Sequence, residues 1–483
     1  MQPTGASVEG FAPPRRLVAR GRFLLWTGWW AAVAVAVVGC VLGILVAAPV
    51  DAKTFWFAAL VFTWTAATLW GLTRRDPPLA FLALQVLYLF NVIAGATVAF
   101  VDGEVTLGVF DFSEGMVGAL RLSTAAQAAL WAGVVASRSV TGHAGRTRPV
   151  RVPPRRRLDR LALGLLLAGV VFQTVYVVLA GVDLATVNVV FGESRRGELA
   201  QLAEGPVVKY FKSLGSLAGV AMVVVAYRVA LWGWRRSAVP WLVLAMGSAT
   251  LVMEGTRTRL MVPVVAAGFV WWKTAGGMLS RRPRTLLVAG AAFAFAFLAT
   301  IGGLRGQQSG KVIDIPSFLD RQVRDGVFSA TAGLVWNVPS RVDHLYGRSY
   351  LDLVTLPVPR ALWAQKPEGT IKQLQSNWLD PRMGASFATW GEMYANFGVV
   401  GVLVGMVLFG ALVQFCWSRF AQTASGARAL VLAAVIVVLL EVSGRGHLAG
   451  QVAGHFGFLV GSLAAAWRVS RYEESSVPAT VGT

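Results

Sequence analysis

Two short links between apolar runs carry the residues best suited to handling an anion. Met253-Glu-Gly-Thr-Arg-Thr-Arg-Leu260 packs one glutamate and two arginines into a few residues, and Glu441-Val-Ser-Gly-Arg-Gly-His447 has the same character. Charge at such a place is costly beside lipid unless it faces a wet cavity or a ligand. Guanidinium groups suit phosphate or diphosphate, because their planar fork makes bidentate, charge-assisted hydrogen bonds. Arg257, Arg259 and Arg445 therefore read as anion-binding residues rather than as partners of nearby carboxylates. For Arg321 and Arg324, in a loop rich in aspartate, ordinary ion pairing is the simpler reading. A third patch joins Pro357-Val-Pro-Arg-Ala-Leu-Trp-Ala-Gln-Lys-Pro367 to Thr389-Trp-Gly-Glu-Met-Tyr-Ala-Asn-Phe-Gly398. Glu392 stands where an apolar helix begins. The helix dipole favours a carboxylate there, and the same carboxylate is a candidate general base or sugar-hydroxyl ligand. His447 reads as a hydrogen-bonding structural residue. The sequence has no Cys/His cluster, no G-x-x-x-x-G-K-[ST] loop and no H-E-x-x-H, so metal-site and ATP-hydrolysing chemistry find no residues and no cofactor is expected.

The elements that must position these residues are membrane helices. Of 483 residues 55% are hydrophobic and 14% charged, against about 25% charged in a soluble domain, and the mean hydropathy is +0.60. Apolar runs fall at 23–48, 54–72, 79–101, 116–137, 161–182, 207–231, 238–254, 260–276, 285–302, 393–415, 428–443 and 448–468. This predicts an all-α, polytopic integral membrane bundle of about twelve transmembrane helices. The organisation expected is a basic tail over 1–22, spans one to nine over 23–302, a long extracytoplasmic loop or cap over 303–391, spans ten to twelve over 392–468, and a C-terminal tail over 469–483. The runs on either side of Gly255 are short enough to be kinked or re-entrant. Cys40 and Cys416 both lie inside apolar runs and read as lipid-facing or core residues.

Lys and Arg outnumber Asp and Glu by 44 to 24. Alternation from a cytoplasmic start puts Arg74, Arg75, the 138–160 segment, Arg235, Arg236, Arg281, Arg282, Arg419, Arg428, Arg468 and Arg471 inside, with both termini. The other face receives Arg195, Arg196, Arg257, Arg259, Arg305, Arg341, Arg348, Arg360 and Arg445, which a topology signal does not explain. Nucleic-acid binding is excluded by the lack of a basic soluble module. In the long loop, Phe318, Leu319, Val323 and Val327 share one helical face, with Asp320, Arg321, Arg324 and Asp325 largely on the other. An amphipathic helix on the outer membrane surface is one reading, and a folded cap without catalytic residues is the other.

The order Gly-Thr-Arg, a long outer loop ending in Pro-Arg-x-Leu-Trp-x-x-Lys-Pro, then Gly-Glu-x-Tyr-x-Asn-Phe-Gly resembles the O-antigen polymerase (Wzy) family of oligosaccharide repeat unit polymerases, over roughly residues 160–468. The resemblance implies a glycosyltransferase of the bacterial cytoplasmic membrane. Such an enzyme moves a growing glycan from undecaprenyl diphosphate onto a new lipid-linked repeat unit at the outer face. Its partners would be the lipid-linked donor and acceptor, membrane lipids, a chain-length regulator and a flippase, and its product an O-antigen, capsular or exopolysaccharide chain. On that reading Arg257, Arg259, Arg305, Arg360, Arg445 and Lys366 hold the diphosphate. Glu392, then Glu254, then His344 and Asp343 are the bases, and Tyr394, Asn396 and Trp363 line the sugar path. The alternatives are an O-antigen ligase-like transferase, a lipid-linked oligosaccharide flippase and an inactive scaffold.

Overall fold

The computed structural model describes residues 51–74, 78–141, 152–179, 206–234, 237–252, 257–275, 323–324, 326–355, 358, 363, 365, 369–376, 387–444 and 446–474. Nearly all of these residues are helical. The chain forms α1 (Ala52–Leu72), α2 (Leu79–Tyr88), a π-helical turn (Leu89–Ile93) and α3 (Ala94–Asp102). A small hairpin of β1 (Thr106–Leu107) and β2 (Phe110–Asp111) follows, then α4 (Met116–Thr141), α5 (Arg155–Leu179), α6 (Pro206–Gly215), α7 (Leu217–Trp232), α8 (Val239–Val252) and α9 (Arg257–Thr274). The last elements are α10 (Val327–Asn337), α11 (Arg348–Thr355), α12 (Thr370–Ser376), α13 (Thr389–Gln422), α14 (Gly426–Gly444), α15 (Leu448–Gly454) and α16 (Phe456–Glu474).

Among the described residues seven helices are long and apolar enough to cross a bilayer, and an eighth if α15 and α16, bent by 56°, count as one. The chain is thus an all-α, membrane-embedded protein. The count of about twelve is not reached within these residues, for two physical reasons and one of coverage. Helix α8 has 14 residues, about 21 Å of helix against a hydrocarbon core of about 30 Å. Helix α9 carries Arg257, Arg259 and Lys273 on a span of 18 residues. The runs at 23–48 and 285–302, with Cys40, lie outside the described residues. Cys416 is buried in α13 as a free thiol.

The tightest packing joins α4 to α13. Where they cross, Gly133 has the Val407 backbone against the position of its absent Cβ, and Gly410 has the Leu130 backbone against its own. Any larger residue at either place would push the helices apart. Helix α10 begins at Val327, the last residue of the face expected for an amphipathic surface helix. It is buried between the spans, with Phe328 packed toward Gly95 and the Ala332 carbonyl toward Gly115. Arg324 pairs with Asp102, as ordinary ion pairing predicts, whereas Phe318, Leu319 and Arg321 lie outside the described residues.

The bundle has two distinct ends. At one, Arg155 and Arg228 both reach Asp159, at 3.4 and 2.9 Å. There too Arg157 lies over Tyr472, Lys273 donates to the Ala421 carbonyl, and the Ser425 hydroxyl donates to Glu473 at 2.8 Å. Arg419, Arg428, Arg468 and Arg471 belong to the same end by their places in α13, α14 and α16. The opposite end gathers the hairpin, α10, α11, the start of α13 and α15.

Helix α13 is two helices joined by a reversal. Phe397 and Gly398 leave helical geometry, Gly398 at φ 63°, ψ −154°, a region reserved for glycine. A Cβ at Gly401 would lie 2.6 Å from the Met393 carbonyl oxygen, and one at Gly405 2.5 Å from the Met393 sulfur. In a straight helix those residues stand about 12 and 18 Å apart. The arm 389–396 therefore folds back along the first turns of the span 399–422, and Trp390 lines one small cavity with Met406 and Phe409.

Candidate functional site

The folded-back arm carries a carboxylate with an unusual set of donors. Glu392 is buried, 1% exposed. Its Oε1 accepts the Ser349 hydroxyl at 2.7 Å. Its Oε2 accepts the backbone N–H groups of His447 at 2.9 Å and Leu448 at 2.7 Å. A buried charge is tolerable when its lone pairs are met in this way. Asn396, one turn on, completes the arrangement: its amide donates to the Ser349 hydroxyl at 2.7 Å and the Glu392 carbonyl at 2.8 Å, and its oxygen accepts Gly347 N–H at 2.9 Å.

Those bonds hold two further side chains together. Ser349 sits in α11, which carries Asp352 three residues later. His447 precedes α15 with a left-handed backbone, φ 77°, ψ 68°. That conformation costs a non-glycine residue free energy, and the two N–H bonds to Glu392 supply a reason for it to persist. The result sets His447 Nε2 3.6 Å from Asp352 Oδ2, the imidazole partly open to the surface and the carboxylate buried. Asp352 is fixed in turn by Thr370, whose N–H reaches Oδ2 at 2.8 Å and whose hydroxyl reaches Oδ1 at 3.2 Å. Gly369 borders the pair: a Cβ there would stand 3.7 Å from Asp352 Oδ2 and 3.8 Å from His447 Cε1. One carboxylate, Glu392, thus clamps both elements of a His–Asp pair, one through the backbone and one through Ser349.

At the far end of α15 a second charged group appears. His455 Nε2 faces the Glu441 carboxylate, both side chains buried, where α15 bends into α16. The Arg259 guanidinium comes within 3.8 Å of where a Gly454 Cβ would be. The seven residues of α15 separate Arg259 from His447 by about 10 Å along the helix.

The other expected site residues fall as follows. His344 packs edge-on against Tyr394 at 5.7 Å, and its Nδ1 lies 3.3 Å from the Ala395 carbonyl, so it belongs to the reversal at Gly398 and stands apart from the His447–Asp352 pair. Tyr394 and Asn396, expected beside a glycan, are buried, and Tyr394 donates to the Val338 carbonyl at 2.9 Å. Trp363 is exposed. Asp343 is exposed as well. Glu254, Arg305, Arg360, Lys366, Arg445 and the Arg257 side chain lie outside the described residues. Burial, with the Glu392 charge adding to it, pushes the Tyr350 phenol well above its ordinary pKa, so Tyr350 is a neutral hydroxyl beside the clamp. Among the described residues no group of three or more His, Cys, Asp or Glu could hold a metal ion.

Sequence reasoning passed over Ser349 and Asp352 and gave His447 only a structural part. Nothing in the spacing connects residue 352 with 447. The one legible signal is within α11, where Ser349 and Asp352 share a face opposite Leu351 and Val354. Comparison with protein-family models, with curated proteins and with solved structures gives no match for this chain.

Proposed function

We propose that this protein is a membrane glycosyltransferase that lengthens a lipid-diphosphate-linked oligosaccharide at the extracytoplasmic face of a bacterial cytoplasmic membrane. The observation that carries the reading is the His447–Asp352 pair and Arg259 at opposite ends of α15, on the end of the bundle away from the basic clusters. The positive-inside rule assigns those clusters to the cytoplasm, which leaves the His–Asp pair facing out.

The chemistry follows from the residues. His447, oriented by Asp352, takes the proton of an acceptor sugar hydroxyl. The hydroxyl oxygen attacks the anomeric carbon of the donor glycan. The bond from that carbon to the diphosphate breaks, and the lipid diphosphate leaves with the electron pair. Arg259, with Arg257, Arg305, Arg360, Arg445 and Lys366, stabilises the charge growing on that leaving group. Glu392 is assigned a positioning role here, because its oxygens already accept three hydrogen bonds. Tyr394 and Asn396 support it by fixing the arm, and Trp363 is available to stack on a sugar.

The test is to supply proteoliposomes with lipid-diphosphate-linked repeat units and resolve the products by size. A ladder of longer lipid-linked glycans is expected, lost in His447→Ala and Arg259→Ala while both variants insert and elute as the parent does. A ladder that survives His447→Ala but not Glu392→Gln, with the fold retained, returns the base role to Glu392. Transfer to another acceptor without a ladder indicates a ligase. Relocation of intact lipid without transfer replaces the enzymatic reading with transport.

A further inference from the structure

Helix α11 is amphipathic the wrong way round for a surface helix in water. Its polar residues Ser349 and Asp352 are buried against Glu392 and Thr370. Its apolar residues point away from the protein, Leu351 64% and Val354 73% exposed. The neighbouring Tyr346 is 75% exposed, and Tyr350 stacks on Phe397, which is itself half-exposed. Next to Phe397, Val399, Val400, Leu403 and Val404 of the span 399–422 are exposed as well, an apolar surface of the kind a membrane-spanning helix presents to lipid. Arg348 and Arg341 are exposed at the ends of the same stretch, Arg341 lying over Trp336. Cationic and aromatic side chains flanking an apolar face are the composition of a membrane interface.

We propose that α11 lies in the plane of the membrane, its Leu351–Val354 edge immersed in the acyl chains of the leaflet at the site end. The occupant of that face is lipid hydrocarbon. Adjacency to that apolar surface of the span is the argument for it, and immersion of about 5–10 Å is the usual depth for such a helix. The same helix carries Asp352 on its inner edge, so the His447–Asp352 pair has lipid as one of its walls. A substrate that reaches the pair along this wall is an amphiphile already resident in the leaflet. That last consequence rests on the proposed function; the immersion does not.

The experiment needs no substrate. Leu351→Cys and Val354→Cys are labelled with an environment-sensitive fluorophore in the full chain, reconstituted in phosphatidylcholine vesicles, and read as the increment over the chain bearing only Cys40 and Cys416. Asp343→Cys is the water-facing reference. The expected result is blue-shifted emission from positions 351 and 354, lost when the lipid carries bromine on its upper acyl carbons and insensitive to aqueous iodide, with the reverse at 343. Iodide quenching at 351 and 354 equal to that at 343 overturns the proposal. So does emission that neither quencher reaches, since protein would then cover the face. Immersion without any glycan ladder would retain the membrane-plane helix and remove the enzymatic reading.

Discussion

Deleting the Glu392 side chain would leave a hydroxyl and two backbone N–H groups buried without an acceptor. Each such bond to a charged group is worth about 1.5–3 kcal/mol, and the donors then bear their own desolvation cost. Glu392→Ala is therefore expected to destabilise the protein by several kcal/mol, of the order of 3 or more. Ser349→Ala, which removes one of those bonds, should cost less, about 1.5–3 kcal/mol, and thermal unfolding in detergent ranks the two. Equal midpoints for both variants would show that the clamp does not bear on stability. A separate expectation concerns pH. Asp111 accepts from the Ser113 N–H at 2.8 Å and from its hydroxyl at 2.5 Å, which holds its carboxyl below the ordinary value. A lowered folded-state pKa means that its contribution is complete above the ordinary carboxylate range and is lost as pH falls through the folded value. The group is exposed, so the effect is small. It should appear as faster exchange of the Val105 amide, which donates to the Ser113 hydroxyl at 2.9 Å, in acid, and it should be absent in Asp111→Asn.

At the scale of elements the critical positions are glycines at two contacts. Gly398→Ala forces a side chain into a conformation worth roughly 1–3 kcal/mol of strain. It should loosen the folded-back arm, raising backbone exchange across residues 389–396 more than across 402–422. Gly410→Leu drives a side chain onto the Leu130 backbone and should lower the unfolding midpoint of the whole bundle, whereas Gly164→Leu, with open space around its Cβ, should not. These elements also show what could be read in advance. Hydropathy located the spans because twenty apolar residues in a row have few other uses. It did not reveal the reversal inside α13, because Phe397-Gly398 differs from a helical interior only in backbone angles. Nor did it single out α10, which is buried against α3 and α4. Glu392 was found by its charge in an apolar setting. Asp352 was missed because its partner is ninety-five positions away in the chain and its surroundings look like any amphipathic turn.

The whole molecule has a cationic end and an end carrying the His–Asp pair, and sealed vesicles can separate them. Thr73→Cys at the end of α1 and Asp343→Cys near α11 should react with a membrane-impermeant maleimide from opposite sides, 343 from the exterior in right-side-out vesicles. Reaction of both from one side would show that the two ends share a compartment and would remove the topology on which the proposed function depends.

The reversal at Gly398 also sets depth. Were residues 389–422 one straight rod, they would measure about 51 Å, and Glu392 would stand about 9 Å beyond the level of Gly398. Doubling back puts it a similar distance to the other side, a displacement of about 18 Å. Glu392 and the His447 backbone it holds accordingly sit level with the first turns of the span 399–422. On the proposed function, a reaction held at that level would be screened from bulk water, and an intermediate prone to hydrolysis would be sheltered there.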